Sequence, residues 1–264
     1  MISVIIPTLG ERPNELQRLF TSFAYQSSQS FEVIVVSQAN HQTVSDLLRN
    51  VSFSSKHITL EKRGLSYARN QGLLSASGEI LTFSDDDCWY PQGAFEKAGN
   101  HFVNSDEPIL CFQIYDFEEK QYYKTYPVHD KRLSWRDVFK KSSIEMFFKR
   151  SELNMNLVKF DEDFGLGAKY PSGEENLLLL KLYRAGYRMR YVPEIIVYHK
   201  KPTIQSRLTE QALISKGPLL KKMFNTPIGF SMLTYFFLKK YSHLERPLTL
   251  YKHALRELRQ YKVP

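Results

Sequence analysis

Hydrophobic residues in the first third of the chain follow two alternating patterns. Short, almost continuous apolar runs, such as residues 31–36 (FEVIVV), are typical of strands in a parallel sheet that is covered on both faces. Between such runs, apolar residues recur every three or four positions, as in residues 11–23, where Leu16, Phe20 and Phe23 share one helix face. The patterns predict strands at 2–6, 31–36, 58–60 and 80–83, and helices at 11–23, 44–49 and 65–74. This order of elements predicts a doubly wound α/β half-domain.

The middle of the chain has a more mixed pattern. Residues 108–115 and 121–126 are predicted to form paired strands, and residues 164–173 form a loop rich in glycine. Further strands are predicted at 143–148, 188–192 and 195–198, and helices at 93–102, 135–139 and 174–185. We therefore expect a mixed α/β domain that ends near residue 215.

The composition changes from about residue 216 onward. Residues 227–238 (PIGFSMLTYFFL) are strongly apolar, and residues 247–261 form a basic helical stretch. The apolar segment is flanked by Lys216, Lys221, Lys222, Lys239 and Lys240. It is shorter than the roughly 18 apolar residues that a membrane-spanning helix needs. Two interpretations stay open: a helix packed on the preceding domain, or an interfacial helix whose lysines face anionic headgroups.

The net charge narrows the choice of partners. Lys and Arg number 36 against 28 Asp and Glu, so the formal net charge is +8. Such a surface suits nucleic acid, nucleotide-linked substrates or an anionic membrane leaflet. No nucleic-acid-binding motif accompanies the charge, so we expect no nucleic acid partner. The two cysteines form no CxxC pair and the chain opens on a strand rather than a secretory signal, so we expect a cytoplasmic location, at the inner membrane face if the tail binds lipid.

Three consecutive carboxylates, Asp85, Asp86 and Asp87, lie just past the strand predicted at 80–83. The carboxyl end of a strand is where an open α/β sheet places its ligands. Adjacent carboxylates repel one another, and each raises its neighbours' pKa unless a positive charge is present. Carboxylate oxygens suit Mg²⁺ or Mn²⁺, which proteins share with substrate phosphates. The alternative is a solvated acidic turn, because aspartate is common in turns.

Other polar residues are predicted at the same edge of the sheet. Pro7 and Thr8 follow the first strand, and Ser37 and Gln38 follow the second, so both pairs are expected to face the crevice. His199 ends a later strand and is either a structural histidine or a third metal ligand.

Two helix starts carry charged residues. Arg63 and Arg69 lie on either side of the first helix start. Arginine suits bidentate contacts with phosphate, and the helix N-terminus adds backbone N–H donors. The alternative is that these arginines form surface ion pairs. Glu174 and Glu175 begin the second. They either stabilise the helix dipole or place a general base in the cleft.

Four segments together carry a resemblance to a known family. They are IIPTLGERPNEL, FEVIVVSQAN, RGLSYARNQGLLSASGEILTFSDDDCWYP and FGLGAKYPSGEENLLLLKLYRAGYRMRYVPEIIVYH. The ARN…G…DDD…P block, followed by GEEN…L…G…P…H, resembles glycosyltransferase family 2 over roughly residues 1–200. The resemblance implies the GT-A fold: a Rossmann-like, doubly wound, mostly parallel sheet with a small antiparallel sheet, here followed by a helical tail. Within the family, the chain most resembles bacterial enzymes that build capsule, lipopolysaccharide O-antigen or related surface polysaccharides.

The resemblance also implies an activity and a division of the chain. It implies an inverting, metal-dependent transfer of a sugar from a nucleotide donor, most simply a UDP-sugar, to a glycan or polyprenyl-diphosphate-linked acceptor. Residues 1–103 correspond to the nucleotide-sugar-binding half, 104–215 to the acceptor half, and 216–264 to a basic amphipathic tail. The alternative activity is that of a sugar-phosphate nucleotidyltransferase, which needs a triphosphate cradle; the sequence has no glycine-rich P-loop.

The resemblance assigns roles to particular residues. Asp85 and Asp87 match the DXD spacing that holds Mn²⁺ or Mg²⁺ on the diphosphate, and Asp86 lies within reach of the ribose or the metal. Arg69 is expected to approach the nucleotide or its phosphates. Glu175 falls where the family has the Asp of its ED motif, which is the general base.

The chain departs from the family pattern at two positions. The family has an Asp after the second strand that contacts the nucleotide base, whereas this chain has Ser37 or Gln38 there. A Gln amide can hydrogen-bond a base edge as donor or acceptor. Glu175 replaces the Asp of the ED motif, which moves the carboxylate by roughly one C–C bond, about 1.5 Å.

Overall fold

The computed structural model describes residues 1–27, 30–203 and 208–263. Its strands are β1 (Ile2–Thr8), β2 (Phe31–Ser37), β3 (Ser54–Thr59), β4 (Ile80–Phe83), β5 (Ile109–Asp116), β6 (Gln121–Tyr122), β7 (Lys131–Arg132), β8 (Met146–Lys149) and β9 (Met189–Tyr198). Within the described ranges they form one nine-stranded sheet in the order β3-β2-β1-β4-β8-β5-β9-β7, with β6 paired to β5.

The sheet is parallel in its first half and mixed in its second. β1 pairs in parallel with β2 and β4, and β2 pairs in parallel with β3. β5 and β9 are also parallel, while β8 runs antiparallel between β4 and β5. The antiparallel strands of the second half are therefore part of the main sheet, and the mixed α/β class is confirmed. The carboxyl ends of β1, β2 and β4 lie at one edge.

A single strand, β9, replaces the two strands predicted at 188–192 and 195–198. Its register against β5 shifts between Cys111 and Gln113. Pro193 lies in the shifted stretch and has no N–H to donate to the ladder. The strand therefore bulges there rather than ending.

Helices cover both faces of the sheet. They are α1 (Pro13–Ala24), α2 (His41–Leu48), α3 (Leu65–Ser75), α4 (Ala94–Val103), α5 (Glu174–Arg184), α6 (Glu210–Ile214), α7 (Lys216–Met223), α8 (Thr226–Lys240) and α9 (Pro247–Gln260). Successive side chains of β1 point to opposite faces, so Ile5 joins one hydrophobic cluster while Val4 and Ile6 join the other. α3 and α5 contribute to the first cluster, and α1 and α4 to the second.

The tail helices have a small core of their own and also contact the main one. α6–α9 enclose a third cluster: Leu213, Leu220, Leu233, Phe237, Ala254 and Leu258. Leu219 of α7 lies in the main core, and Lys222 pairs with Asp161. Lys221 Nζ donates to the carbonyl oxygen of Tyr261 at 2.6 Å. Both lysines, expected to face lipid headgroups, are therefore directed to the protein. Across the described ranges, no helix has the length and apolar content needed to cross a membrane.

Candidate functional site

The three aspartates lie beside the end of β1, as the parallel pairing of β1 with β4 requires. Thr8 Oγ1 donates a hydrogen bond to Asp86 Oδ2 at 2.6 Å and accepts one from the Gly10 amide at 2.9 Å. The guanidinium of Arg12, just before α1, pairs with both Asp86 and Asp87. The loops that follow two neighbouring strands thus converge on one acidic cluster.

A first cavity of about 430 Å³ opens at this edge of the sheet. Its walls are Pro7, Thr8, Leu9, Arg12, Gln38, Arg63, Gly64, Leu65, Asp85, Asp86, Asp87, Leu166, Gly167 and His199. The structure therefore brings together the residues that the sequence predicted for donor and metal binding, apart from Ser37 and Arg69.

Asp86 is the most buried of the three aspartates, at 6% exposure. Burial raises its pKa, and this outweighs the opposing effects of the Thr8 hydrogen bond and the Arg12 charge. One carboxylate oxygen of Asp86 accepts a hydrogen bond from Thr8, and the other pairs with Arg12. Asp86 therefore links the loop after β4 to the loop after β1.

Asp87 and His199 form a pair in the wall of the first cavity. His199 Nε2 lies 3.2 Å from Asp87 Oδ1, and Nδ1 lies 2.6 Å from the Lys200 carbonyl oxygen. Burial opposes both charges, but the hydrogen bond between the two raises the pKa of His199 and, with Arg12, lowers the pKa of Asp87 to about 2. Asp87 is therefore ionised at neutral pH, as a metal ligand must be.

The donor set at this pair fits a divalent cation. Asp85, Asp87, Cys88 and His199 each place one ligand atom within 4.8 Å of the others. Carboxylate oxygens with an imidazole suit Mn²⁺ or Mg²⁺. Burial, with the neighbouring carboxylates, raises the pKa of the Cys88 thiol well above its ordinary value, so Cys88 stays protonated and is a poor ligand. The candidate ligands are therefore Asp85, Asp87 and His199.

Arg69 lies beneath the aspartates instead of facing the first cavity. It is 1% exposed and donates to Glu174 Oε1 at 3.0 Å, Asp85 Oδ1 at 3.0 Å and Ser143 Oγ at 2.7 Å. It thus connects the acidic cluster to the start of α5. In this position Arg69 orients Asp85, and its guanidinium contacts protein groups.

The two glutamates at the start of α5 occupy different environments. Glu174 is buried and pairs with Arg69, while Glu175 is half-buried and lines a second cavity of about 1070 Å³. Leu166 lies in the walls of both cavities. Burial, followed by the charge of Glu174, raises the pKa of Glu175 to about 8. A carboxyl group with such a pKa beside a large cavity has the properties of a general base.

The segment after β2 presents Gln38 to the first cavity, whereas Ser37 is fully buried. The Ser37 hydroxyl lies 2.7 Å from His41 Nδ1 and 2.8 Å from His57 Nε2. Gln38 Nε2 donates to the Lys62 carbonyl oxygen at 2.8 Å. This orientation directs the amide nitrogen to the backbone and leaves Oε1 as the atom that can accept from a ligand.

Sequence reasoning missed Arg12 and the ion pair of Glu174. The position of Arg12 in the sequence could have indicated its role. It is the basic residue in the loop after β1, and such a loop faces the crevice. It also directly precedes Pro13, the first residue of α1. For Glu174 the partner is Arg69, 105 residues earlier, so no local pattern indicates the pair.

Comparison with known proteins gives related sequences. A family model described as Glycosyl transferase family 2 matches residues 3–164. The chain is 31% identical over 135 residues to "Uncharacterized glycosyltransferase YwdF" of Bacillus subtilis (strain 168), covering 51% of this chain and 50% of that protein. It is 29% identical over 123 residues to "Glycosyltransferase GlyA" of Streptococcus pneumoniae serotype 4, covering 46% of this chain and 18% of that protein. The chain thus spans half or less of these relatives' length.

Solved structures share the fold. The chain matches S. aureus TarS 1–349 in complex with UDP-GlcNAc with a TM-score of 0.69 at 19% identity, over 100% of this chain and 81% of that one. At this identity the likeness establishes the fold, which is of the GT-A type. The family match covers more than half of the chain and includes all three aspartates, while Glu175 and His199 lie beyond it. On this match, the chain belongs to glycosyl transferase family 2.

Proposed function

We propose that this chain is an inverting, metal-dependent glycosyltransferase that moves a sugar from a nucleotide donor to a hydroxyl of a glycan or polyprenyl-diphosphate-linked acceptor, in the synthesis of a bacterial surface polysaccharide. One observation carries the proposal: two cavities share Leu166 as a wall residue, with the carboxylate and imidazole cluster in one and Glu175 in the other. A donor in the first cavity and an acceptor in the second would then both contact Leu166.

The first cavity suits a nucleoside diphosphate sugar. Asp85, Asp87 and His199 would hold Mn²⁺ or Mg²⁺, which would supply positive charge for the leaving diphosphate. Arg63 in the wall adds a cation for phosphate oxygens. Gln38 Oε1 can accept an N–H from a base, as uracil offers. The TarS structures in complex with UDP and UDP-GlcNAc, which have this fold, support a UDP-sugar as the donor.

Glu175 acts on the acceptor in this proposal. The acceptor oxygen attacks the anomeric carbon from the face opposite the diphosphate, a new C–O bond forms as the bond to the diphosphate breaks, and Glu175 accepts the hydroxyl proton. Arg69 is a positioning residue, because it holds Asp85 and Glu174 without reaching either cavity. The division into a donor half, 1–103, and an acceptor half, 104–215, stays a prediction.

Incubation with a panel of nucleotide sugars and Mn²⁺ tests the proposal. We expect release of the nucleoside diphosphate, slow with water alone and faster once a suitable glycan acceptor is added. A nucleotidyltransferase instead joins a nucleoside triphosphate to a sugar phosphate and releases pyrophosphate. Pyrophosphate release without any turnover of nucleotide sugars contradicts the transferase proposal.

Removal of divalent cations is expected to lower the rate of transfer about 100-fold, because Asp85 and Asp87 then lack the divalent charge that would offset their repulsion of the donor diphosphate. The measurement is the transfer rate of chelator-treated enzyme during back-titration with Mn²⁺ or Mg²⁺. UDP affinity, measured by calorimetry with and without the cation, should fall in parallel. An unchanged rate in protein shown by elemental analysis to be free of metal contradicts the metal assignment.

We also propose that the tail makes a peripheral membrane contact through the outer face of α8. Tyr235 and Leu238 on this face are 66% and 69% exposed, and Lys239 and Lys240 follow in the last turn. Exposed aromatic and aliphatic side chains next to lysines are typical of helices that lie in the interface of an anionic membrane.

Replacing Tyr235 and Leu238 by glutamate is expected to reduce binding to vesicles rich in anionic phospholipid about tenfold or more, because both changes remove apolar contact and add repulsion. Co-sedimentation measures the bound fraction. Val103→Glu is a matched control, since Val103 is 83% exposed at the end of α4. Equal sedimentation of all variants contradicts the contact. Deleting residues 216–264 is a poor test, because Leu219 belongs to the main core.

A further inference from the structure

The second cavity, which contains Glu175, is lined by more lysines than acidic residues. The charged residues in its wall are Lys124, Lys140, Lys141, Lys216, Glu175 and Glu210. A recess with an excess of one charge concentrates ligands of the opposite charge.

The amino group of Lys124 already has protein partners. It pairs with the fully buried Glu145 at 2.8 Å and donates to Ser142 Oγ at 2.9 Å and to the Lys140 carbonyl oxygen at 2.8 Å. Three donors therefore have three acceptors, and Lys124 serves as a structural ion pair. The side chain of Lys140 is exposed at the rim.

Lys141 and Lys216 differ from Lys124, because neither forms an ion pair or a hydrogen bond through its amino group within the part of the chain that the structure describes. Lys141 is 7% exposed and its amino group lies 4.9 Å from the centre of the Tyr191 ring, which favours a cation there. Lys216 is half-buried at the start of α7. Burial lowers the pKa of Lys216, and the charges of Glu175 and Glu174 oppose this.

We propose that the acceptor carries a phosphate group close to its reacting hydroxyl, and that Lys141 and Lys216 bind this phosphate in the second cavity. The inference rests on the proposed function, since it assumes that Glu175 marks the acceptor site. A phosphate supplies a charge-assisted hydrogen-bond partner for both ammonium groups. A neutral glycan leaves both of them unpaired. Lys216 belongs to the tail, so the phosphate site is complete only when α7 is docked.

Matched acceptor pairs test the proposal. Each pair is an alkyl glycoside and the same glycoside bearing a phosphomonoester, with the transfer rate measured at saturating donor. We expect kcat/KM to be about tenfold or more higher for the phosphorylated member. Lys141→Met and Lys216→Met should each reduce that preference about tenfold, while Lys216→Arg retains it. The exposed Lys252, changed to Met on α9, is the matched control and should keep the wild-type preference.

Two results distinguish failure of this inference from failure of the proposed function. Equal use of both members of every pair, by an enzyme that turns over nucleotide sugars, overturns the phosphate site alone. If no nucleotide sugar is turned over, inorganic phosphate serves as the probe in metal-free buffer, where a rise in melting temperature reports binding. If phosphate raises the melting temperature of the wild type but not that of Lys141→Met and Lys216→Met, the result supports the anion site. An increase that persists in both variants overturns it, and so does the lack of any increase in the wild type.

Discussion

Replacing Glu175 by glutamine is expected to lower kcat for sugar transfer about 1000-fold, because a general base contributes roughly 10²- to 10⁴-fold and the amide cannot accept the acceptor's proton. The change is nearly isosteric, and Glu175 lines the second cavity rather than the first. The affinity for the nucleotide donor should therefore stay within about twofold of wild type. Single-turnover transfer and UDP titration measure the two quantities separately.

The pH dependence of the wild type gives the same test without a mutation. Burial, together with the charge of Glu174, raises the pKa of Glu175 to about 8. The carboxylate that accepts the proton is thus the minor form below that pH and the major form above it. We expect kcat/KM to rise about tenfold per pH unit on the acid side and to level off above about pH 8.

A matched control for Glu175 is Glu210, the other acidic residue in the second cavity, which is exposed at the start of α6. Glu210→Gln should retain the wild-type kcat and the ascending limb of the pH profile. Transfer by Glu175→Gln at a near wild-type rate, or a wild-type profile that is flat around pH 8, contradicts the assignment of the base.

The edge of the sheet that holds the site was predictable because it depends on local pattern. The apolar runs before Thr8, Gln38 and Asp85 fix where parallel strands end, and parallel strands bring those ends together. His199 follows the last strand in the same way. The positions at which the predicted strands end were therefore enough to identify most of the polar residues that line the first cavity.

The partners of buried charges were not predictable, because they join distant parts of the chain. Arg69 lies within α3, and its contacts with Glu174 and Ser143 span 105 and 74 residues. The same limit explains Lys222, whose position after an apolar pattern suits either lipid or protein until Asp161 is placed beside it. Which of two adjacent glutamates faces a cavity likewise depends on where α5 docks.

Replacing Arg69 by methionine is expected to lower the free energy of unfolding by about 3–5 kcal/mol, because removing one partner of a buried ion pair leaves the other charge uncompensated. Glu174, at 6% exposure, loses its partner, and Asp85 loses the donor that orients it. We expect transfer to fall below detection for this reason. Chemical denaturation and the transfer assay, run on the same preparation, measure the two effects.

A second substitution separates the stability effect of Arg69 from its effect on activity. Arg69→Met combined with Glu174→Gln removes the uncompensated charge of Glu174, so about half of the lost free energy of unfolding should return. Transfer should stay absent, because Asp85 still lacks the hydrogen bond from Arg69. Arg49→Met is the surface control: the side chain is 67% exposed in a pair with Asp46, and its loss should cost less than about 1 kcal/mol. If Arg69→Met unfolds like the wild type and still transfers sugar, then neither Glu174 nor Asp85 depends on the buried guanidinium. The connection from α3 through Asp85 to the donor cavity is then wrong.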